Sequence, residues 1–104
     1  MIALSDGAQT TLESWGKRGS AVLCVHGITS SRKAWLRTAH VLGERFRVFA
    51  YDQRGHGDSA AVTGNMSLER SLADVRDVAA AIGEPVALIG HSWGGAVVLL
   101  AGLE

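Results

Sequence analysis

Residues 85–101 read Pro85-Val86-Ala87-Leu88-Ile89-Gly90-His91-Ser92-Trp93-Gly94-Gly95-Ala96-Val97-Val98-Leu99-Leu100-Ala101, and this stretch decides the fold. Pro85 to Ile89 is a short apolar run, the pattern of a strand covered on both faces. Trp93 to Leu103 is apolar all round, the pattern of a buried helix. Gly90 to Gly95 must therefore turn a strand abruptly into a helix. At so sharp a turn, side chains two before and two after the apex collide. Gly90 and Gly94 remove them and leave Ser92 at the apex. The strained backbone lifts the serine hydroxyl above the sheet, and the following helix aims its N-terminus at the same spot, which favours developing negative charge. Gly-x-Ser-x-Gly arises by chance in glycine-rich chains, and an ordinary Gly/Ser turn is the competing reading. A strand before and a helix after favour the exposed nucleophile.

Upstream, the same alternation repeats. Ala21 to Val25 is a continuous apolar run and predicts a buried strand that stops at His26-Gly27. A helix follows, capped by Ser30 or Ser31, with Trp35, Ala39 and Leu42 on one face and Gly43 at its end. Arg47 to Tyr51 is the next strand, and the segment from Asp52 to Asn65 reads as loop. Ser67 caps a second helix whose stripe is Leu68, Leu72, Val75, Ala79 and Ile82, with Arg70, Asp74 and Asp77 off the stripe. Gly83 ends it, and Pro85 blocks continuation. An N-terminal strand pair, Ile2–Leu4 with Thr10–Trp15, turns at Asp6-Gly7. Strand, helix, strand, helix, strand, helix from Ala21 onward predicts an α/β fold. Its sheet is mostly parallel, with helices on both faces. Ligands of such sheets sit at the carboxyl ends of strands, where His26-Gly27, Asp52 to Ser59 and Gly90 to Gly95 fall.

Composition narrows the function. A chain of 104 residues, 47% hydrophobic, holds one domain at most and enough apolar surface for a core. Ten Lys+Arg balance ten Asp+Glu without a block of one sign. No electrostatic footprint for nucleic acid or an anionic membrane is present, so neither is an expected partner. The single cysteine, Cys24, permits no intrachain disulfide or cysteine-based zinc site, and its place in a buried strand makes it a small core residue. The four histidines lack metal-ligand spacing, and no metal or organic cofactor is expected. The N-terminus has no signal-peptide pattern, and the longest apolar run, Ala96 to Ala101, is too short to span a bilayer. A cytoplasmic location is expected.

Three segments now stand in a telling order: Val25-His26-Gly27-Ile28, then Asp52-Gln53-Arg54-Gly55-His56-Gly57-Asp58-Ser59, then Gly90-His91-Ser92-Trp93-Gly94-Gly95. Together they resemble the N-terminal half of α/β-hydrolase fold enzymes, in the serine-nucleophile, esterase- and lipase-like branch. The similarity runs from Ala21 to Glu104. The resemblance implies that Ser92 is the nucleophile and that the backbone N–H groups of Ile28 and Trp93 form an oxyanion hole. It also places His26, Gly27 and Trp93 against substrate. The middle segment is expected to be architectural, with Asp52 accepting hydrogen bonds and Arg54 meeting a carboxylate. Substrate contact by His56 or Asp58 is the lesser alternative.

In the resembling family the triad runs serine, acid, histidine. His26, His40, His56 and His91 all precede Ser92, and Asp52, Asp74 and Asp77 match no acid position. Residues 1–104 are therefore expected to be the front half of a domain, inactive until a C-terminal part supplies acid and histidine. Serine at position 92, where resembling dehalogenases and epoxide hydrolases carry aspartate, implies acyl transfer. The expected activity is hydrolysis of carboxylic esters or related small acyl compounds. A non-catalytic ligand-binding protein on the same fold and an acyltransferase are the alternatives. The strand Val86–Ile89 is expected to leave one edge open, an aggregation hazard.

Overall fold

A computed structural model describes residues 2–27, 30–57 and 67–102. The elements are β1 (Ile2–Ala3), β2 (Gln9–Thr10), β3 (Leu12–Trp15), β4 (Ala21–Val25), a 3-10 turn (Arg32–Trp35) leading into α1 (Leu36–Leu42), β5 (Arg47–Tyr51), α2 (Leu68–Ile82), β6 (Val86–Gly90) and α3 (Trp93–Gly102). The main sheet has the order β3-β5-β4-β6. β4 pairs in parallel with β5 and β6, whereas β3 runs antiparallel to β5. This is the mostly parallel sheet that the strand–helix alternation predicts.

Alternation along β4 and β5 feeds two cores. Leu23, Val25 and Tyr51 face Val75 and Val78 of α2 and Val97 of α3. Val22, Cys24, Val48 and Ala50 face Ala39 of α1, with Trp35 and Leu42 packed alongside. Helices therefore cover both faces, as expected. All five residues of β4 are buried because they have a strand on each side and a helix layer above and below.

The caps follow the local chemistry. The Ser31 side chain accepts from Lys33 N–H at 3.3 Å, so of the two candidate serines Ser31 is the cap. Ser67 Oγ accepts from Arg70 N–H at 3.1 Å to start α2. Gly83 closes α2 at φ 83°, a left-handed conformation in which a side chain would be strained.

Three expectations are corrected. The N-terminal strand pair is split: Ile2 and Ala3 pair with Thr10 and Gln9 in a separate hairpin, and Leu12–Trp15 joins the main sheet. The split comes at Thr10 and Thr11, which are drawn to the end of β5. Thr10 Oγ1 donates to Asp52 C=O at 2.6 Å, and Asp52 N–H donates to Thr11 C=O at 3.3 Å. β6 is a half-exposed edge strand and not a buried one: Val86 and Leu88 meet the core while Ile89 is 36% exposed. α3 is likewise half-covered, with Val97 buried and Leu99 66% exposed. Beyond β6 no further strand among the described residues supports either element. The open edge itself is as expected.

Candidate functional site

The turn between β6 and α3 is built by close approach. A Cβ on Gly90 would lie 2.6 Å from the Gly94 carbonyl carbon and 2.7 Å from Gly95 Cα. A Cβ on Gly94 would lie 2.6 Å from the His26 carbonyl oxygen and 2.6 Å from the Val25 carbonyl carbon. A side chain at Gly90 would push the first turn of α3 off β6, and one at Gly94 would push it off the end of β4. Between them Ser92 adopts φ 57°, the single positive φ on a non-glycine residue among those described. Such a conformation costs about 1–3 kcal/mol and persists where the surroundings enforce it. Here β4 and the first turn of α3 do so.

Ser92 is exposed and opens into a cleft of about 520 Å³. Ala34, Trp35 and Thr38 form one wall, Gly27 and Ser30 the loop side, and His26, His91 and Ser92 the rest. None of these side chains is acidic, lysine or arginine. Gly27 sits beside the nucleophile: a Cβ there would be 3.3 Å from Ser92 Cβ. Trp93 begins α3, where the first N–H groups have no carbonyl a turn back. The next one, Gly94 N–H, is taken by His91 C=O at 3.0 Å. The Trp93 side chain, expected against substrate, packs on the apolar core and is not part of the cleft wall. Trp93 opens α3 four residues before the buried Val97 and so shares its inward face. Ile28, Asp58 and Ser59 lie outside the described residues.

His26 is 1% exposed, and both its ring nitrogens are occupied. Nδ1 donates to Gly27 C=O at 2.6 Å and Nε2 accepts from Gln53 N–H at 2.9 Å. That combination requires the neutral ring protonated at Nδ1. Burial pushes its pKa down; the neighbouring His56, 5.1 Å away between ring centroids, pushes the same way, while the Gly27 hydrogen bond and Asp52 oppose. The Gln53 side-chain amide donates back to His26 C=O at 2.6 Å. One residue earlier, Asp52 Oδ1 accepts from Arg32 N–H at 2.8 Å, and its Oδ2 pairs with the Arg32 guanidinium.

Arg54 meets a carboxylate, as its motif implies. Its guanidinium binds Asp74 through two bonds of 2.8 and 2.9 Å, and Asp6 through a third of 2.9 Å. Asp74 also accepts from Arg70, which reaches Asp77 as well, each at 2.9 Å. Hydrogen bonding to Arg54 holds the Asp6 carboxyl down at about 2. This network joins the N-terminal hairpin, the loop after β5 and α2. Off-stripe charges on a helix read as solvated, so the burial of Asp74 was invisible in the periodicity. The roles of Gln53 and Arg32 carried no sequence signal, because their partners are 20 to 27 positions away.

None of the four histidines is placed as a base for Ser92. His26 has both nitrogens engaged, His40 is exposed on α1, and His56 Nδ1 donates to Arg54 C=O at 3.0 Å. His91 shares the cleft with Ser92, but no hydrogen bond joins them among the described residues. No group of three His, Cys, Asp or Glu side chains is arranged around a common metal position among the described residues. No helix there is long and apolar enough to cross a membrane.

Comparison with known proteins adds to this geometry. The sequence model of the Alpha/beta hydrolase family matches residues 22–103. The chain is 35% identical over 99 residues to a non-heme haloperoxidase of Rhodococcus erythropolis, covering 93% of this chain and 36% of that protein. It is 35% identical over 80 residues to a soluble epoxide hydrolase of Corynebacterium sp. (strain C12), covering 76% and 28%. An esterase structure from Exiguobacterium antarcticum superposes with a TM-score of 0.89 at 25% identity, over 99% of this chain and 39% of that one. The chain thus spans about a third of the length of these relatives.

Proposed function

The chain belongs to the alpha/beta hydrolase family, and we propose that it carries the nucleophile of a serine hydrolase acting on carboxylic esters or related small acyl compounds. One observation carries this reading: Ser92 stands at positive φ, exposed, at the mouth of a cleft with no ionic side chain. A relative named as an epoxide hydrolase and one named as an esterase leave the reaction open, and the residue at position 92 narrows it. A serine hydroxyl makes an acyl-enzyme.

In this reading the Ser92 oxygen attacks the ester carbonyl carbon, and its proton passes to a base. The carbonyl oxygen becomes an oxyanion, held by the N–H of Trp93 and by that of Ile28, the group that follows the Gly27 carbonyl in the chain. Each such donor contributes about 3 kcal/mol to the transition state. The C–O bond to the alcohol then breaks, and the base returns the proton to the leaving oxygen. Water repeats the sequence on the acyl-enzyme and frees the acid. The base and its carboxylate partner are groups other than these histidines: His26 and His56 are engaged, His40 is remote, and His91, though in the cleft, makes no hydrogen bond to Ser92. A cytoplasmic location fits the buried, reduced Cys24 thiol, whose pKa burial raises to about 11.

The test is a fluorophosphonate probe applied to the whole protein. Labelling that disappears in Ser92→Ala is expected; no labelling, or equal labelling of the variant, would sink the reading. Transfer of the acyl group to an acceptor other than water, seen in product analysis, would make it an acyltransferase.

A further inference from the structure

His26 and Gln53 hold each other from two directions. The backbone N–H of Gln53 donates to the His26 ring at 2.9 Å, and the Gln53 side-chain amide donates to the His26 carbonyl at 2.6 Å. Both residues are buried, at 1% and 4% exposure, so water does not compete for these bonds. The His26 ring in turn donates to Gly27 C=O at 2.6 Å, and Ser30 N–H donates to the same oxygen at 3.2 Å. Gly27 lies against the Ser92 side chain, so that a Cβ on it would be 3.3 Å from Ser92 Cβ. At the far end of this loop Asp52 pins Arg32. Two consecutive residues after β5 thus fasten both ends of the segment that walls the nucleophile.

We propose that Gln53 is a positioning residue for the nucleophile cleft: its main chain holds the His26 ring Nδ1-protonated, its side chain holds the His26 carbonyl, and together they fix the Gly27 backbone beside Ser92. Free imidazole in water is not held to this tautomer; here the choice is imposed by a backbone acceptor on one nitrogen and a backbone donor on the other. Asp52 and His56 are the ionisable groups facing the ring, and neither supplies the bond on either nitrogen. Gln53 touches no reacting atom; it acts through His26. The catalytic consequence rests on the serine-hydrolase reading, whereas the tautomer does not.

The experiment is nitrogen NMR of the histidine rings in the whole protein, wild type and Gln53→Met. The methionine keeps length and the backbone N–H but loses the amide donor. The wild-type His26 ring is expected as a single Nδ1–H tautomer. In Gln53→Met the ring should keep its tautomer, because the backbone N–H remains, while the Gly27 and Ser92 amide signals are displaced. Fluorophosphonate labelling of Ser92 should slow about tenfold, the size of a modest misplacement of reacting groups. A wild-type ring protonated at Nε2 overturns the proposal, and that measurement stands even if the variant fails to fold. Unshifted Gly27 and Ser92 amide signals in Gln53→Met, or shifted ones with undiminished labelling, also overturn it. Absence of labelling in wild type would remove the hydrolase reading alone, and the tautomer would still decide whether the clasp exists.

Discussion

The carboxyl ends of β4 and β5 and the outer side of β6 belong to one sheet, yet they are held by different physics. At the first, His26, Asp52, Gln53, Arg54 and Asp74 are all nearly sealed from water and hydrogen-bonded: His26 to Gln53, Asp52 to Arg32, and Arg54 to Asp74. At the second, Val86, Leu88, Val98 and Leu99 form a shallow apolar groove without one charged side chain. Polar bonds have direction, so the first region fixes atoms relative to one another. Apolar contact has none, so the second fixes only which surfaces meet. The nucleophile stands where the regions join: β6 and α3 carry it, and the β4 and β5 ends decide what faces it.

The largest expected effect lies in the directional region. Asp74→Ala leaves a buried Arg54, whose side chain is 3% exposed, with only the partly exposed Asp6 as carboxylate partner, and should cost about 3 kcal/mol in unfolding free energy. Denaturant titration of the chain measures it; a loss below about 1 kcal/mol would mean the network is solvated and the contrast between the regions false.

A smaller effect concerns pH. Burial depresses the His26 pKa in the fold below its value in the unfolded chain, about 6.5. The neutral ring therefore contributes stability that is complete above about pH 6.5 and lost as pH falls through the folded value. The unfolding midpoint should drop between pH 7 and pH 5 in wild type and drop less in His26→Gln. Equal slopes in the two proteins would contradict the locked neutral ring.

The smallest effect belongs to the apolar side. Leu99 is 66% exposed in α3, and Leu99→Ser should shift the stability of the chain by no more than about 0.5 kcal/mol. A loss several times larger would show that this face is packed, and that both regions are held equally firmly.

Much of the molecule was legible because it depends on neighbours along the chain. The spacing of Gly90, Ser92 and Gly94 dictates a steric solution within five residues, and the observed φ of Ser92 is that solution. The apolar run of β4 likewise reports its burial directly, and the stripe of α2 marks its inner side through Leu68, Leu72, Val75 and Ile82 while missing the buried Val78. Ser67 and Gly83 mark the limits of α2 because caps are satisfied within one turn.

Local chain chemistry alone dictates the α/β alternation, the limits of α2 and the identity of the serine raised above the sheet. Tertiary structure alone decided that β6 is an edge, that α3 leaves Leu99 in water, that Trp93 turns to the core, and that Gln53 clasps His26. The division has one physical cause. Backbone sterics and hydrogen-bond periodicity act over a few residues, whereas burial and polar pairing depend on which distant segments arrive to cover a surface or fill a bond.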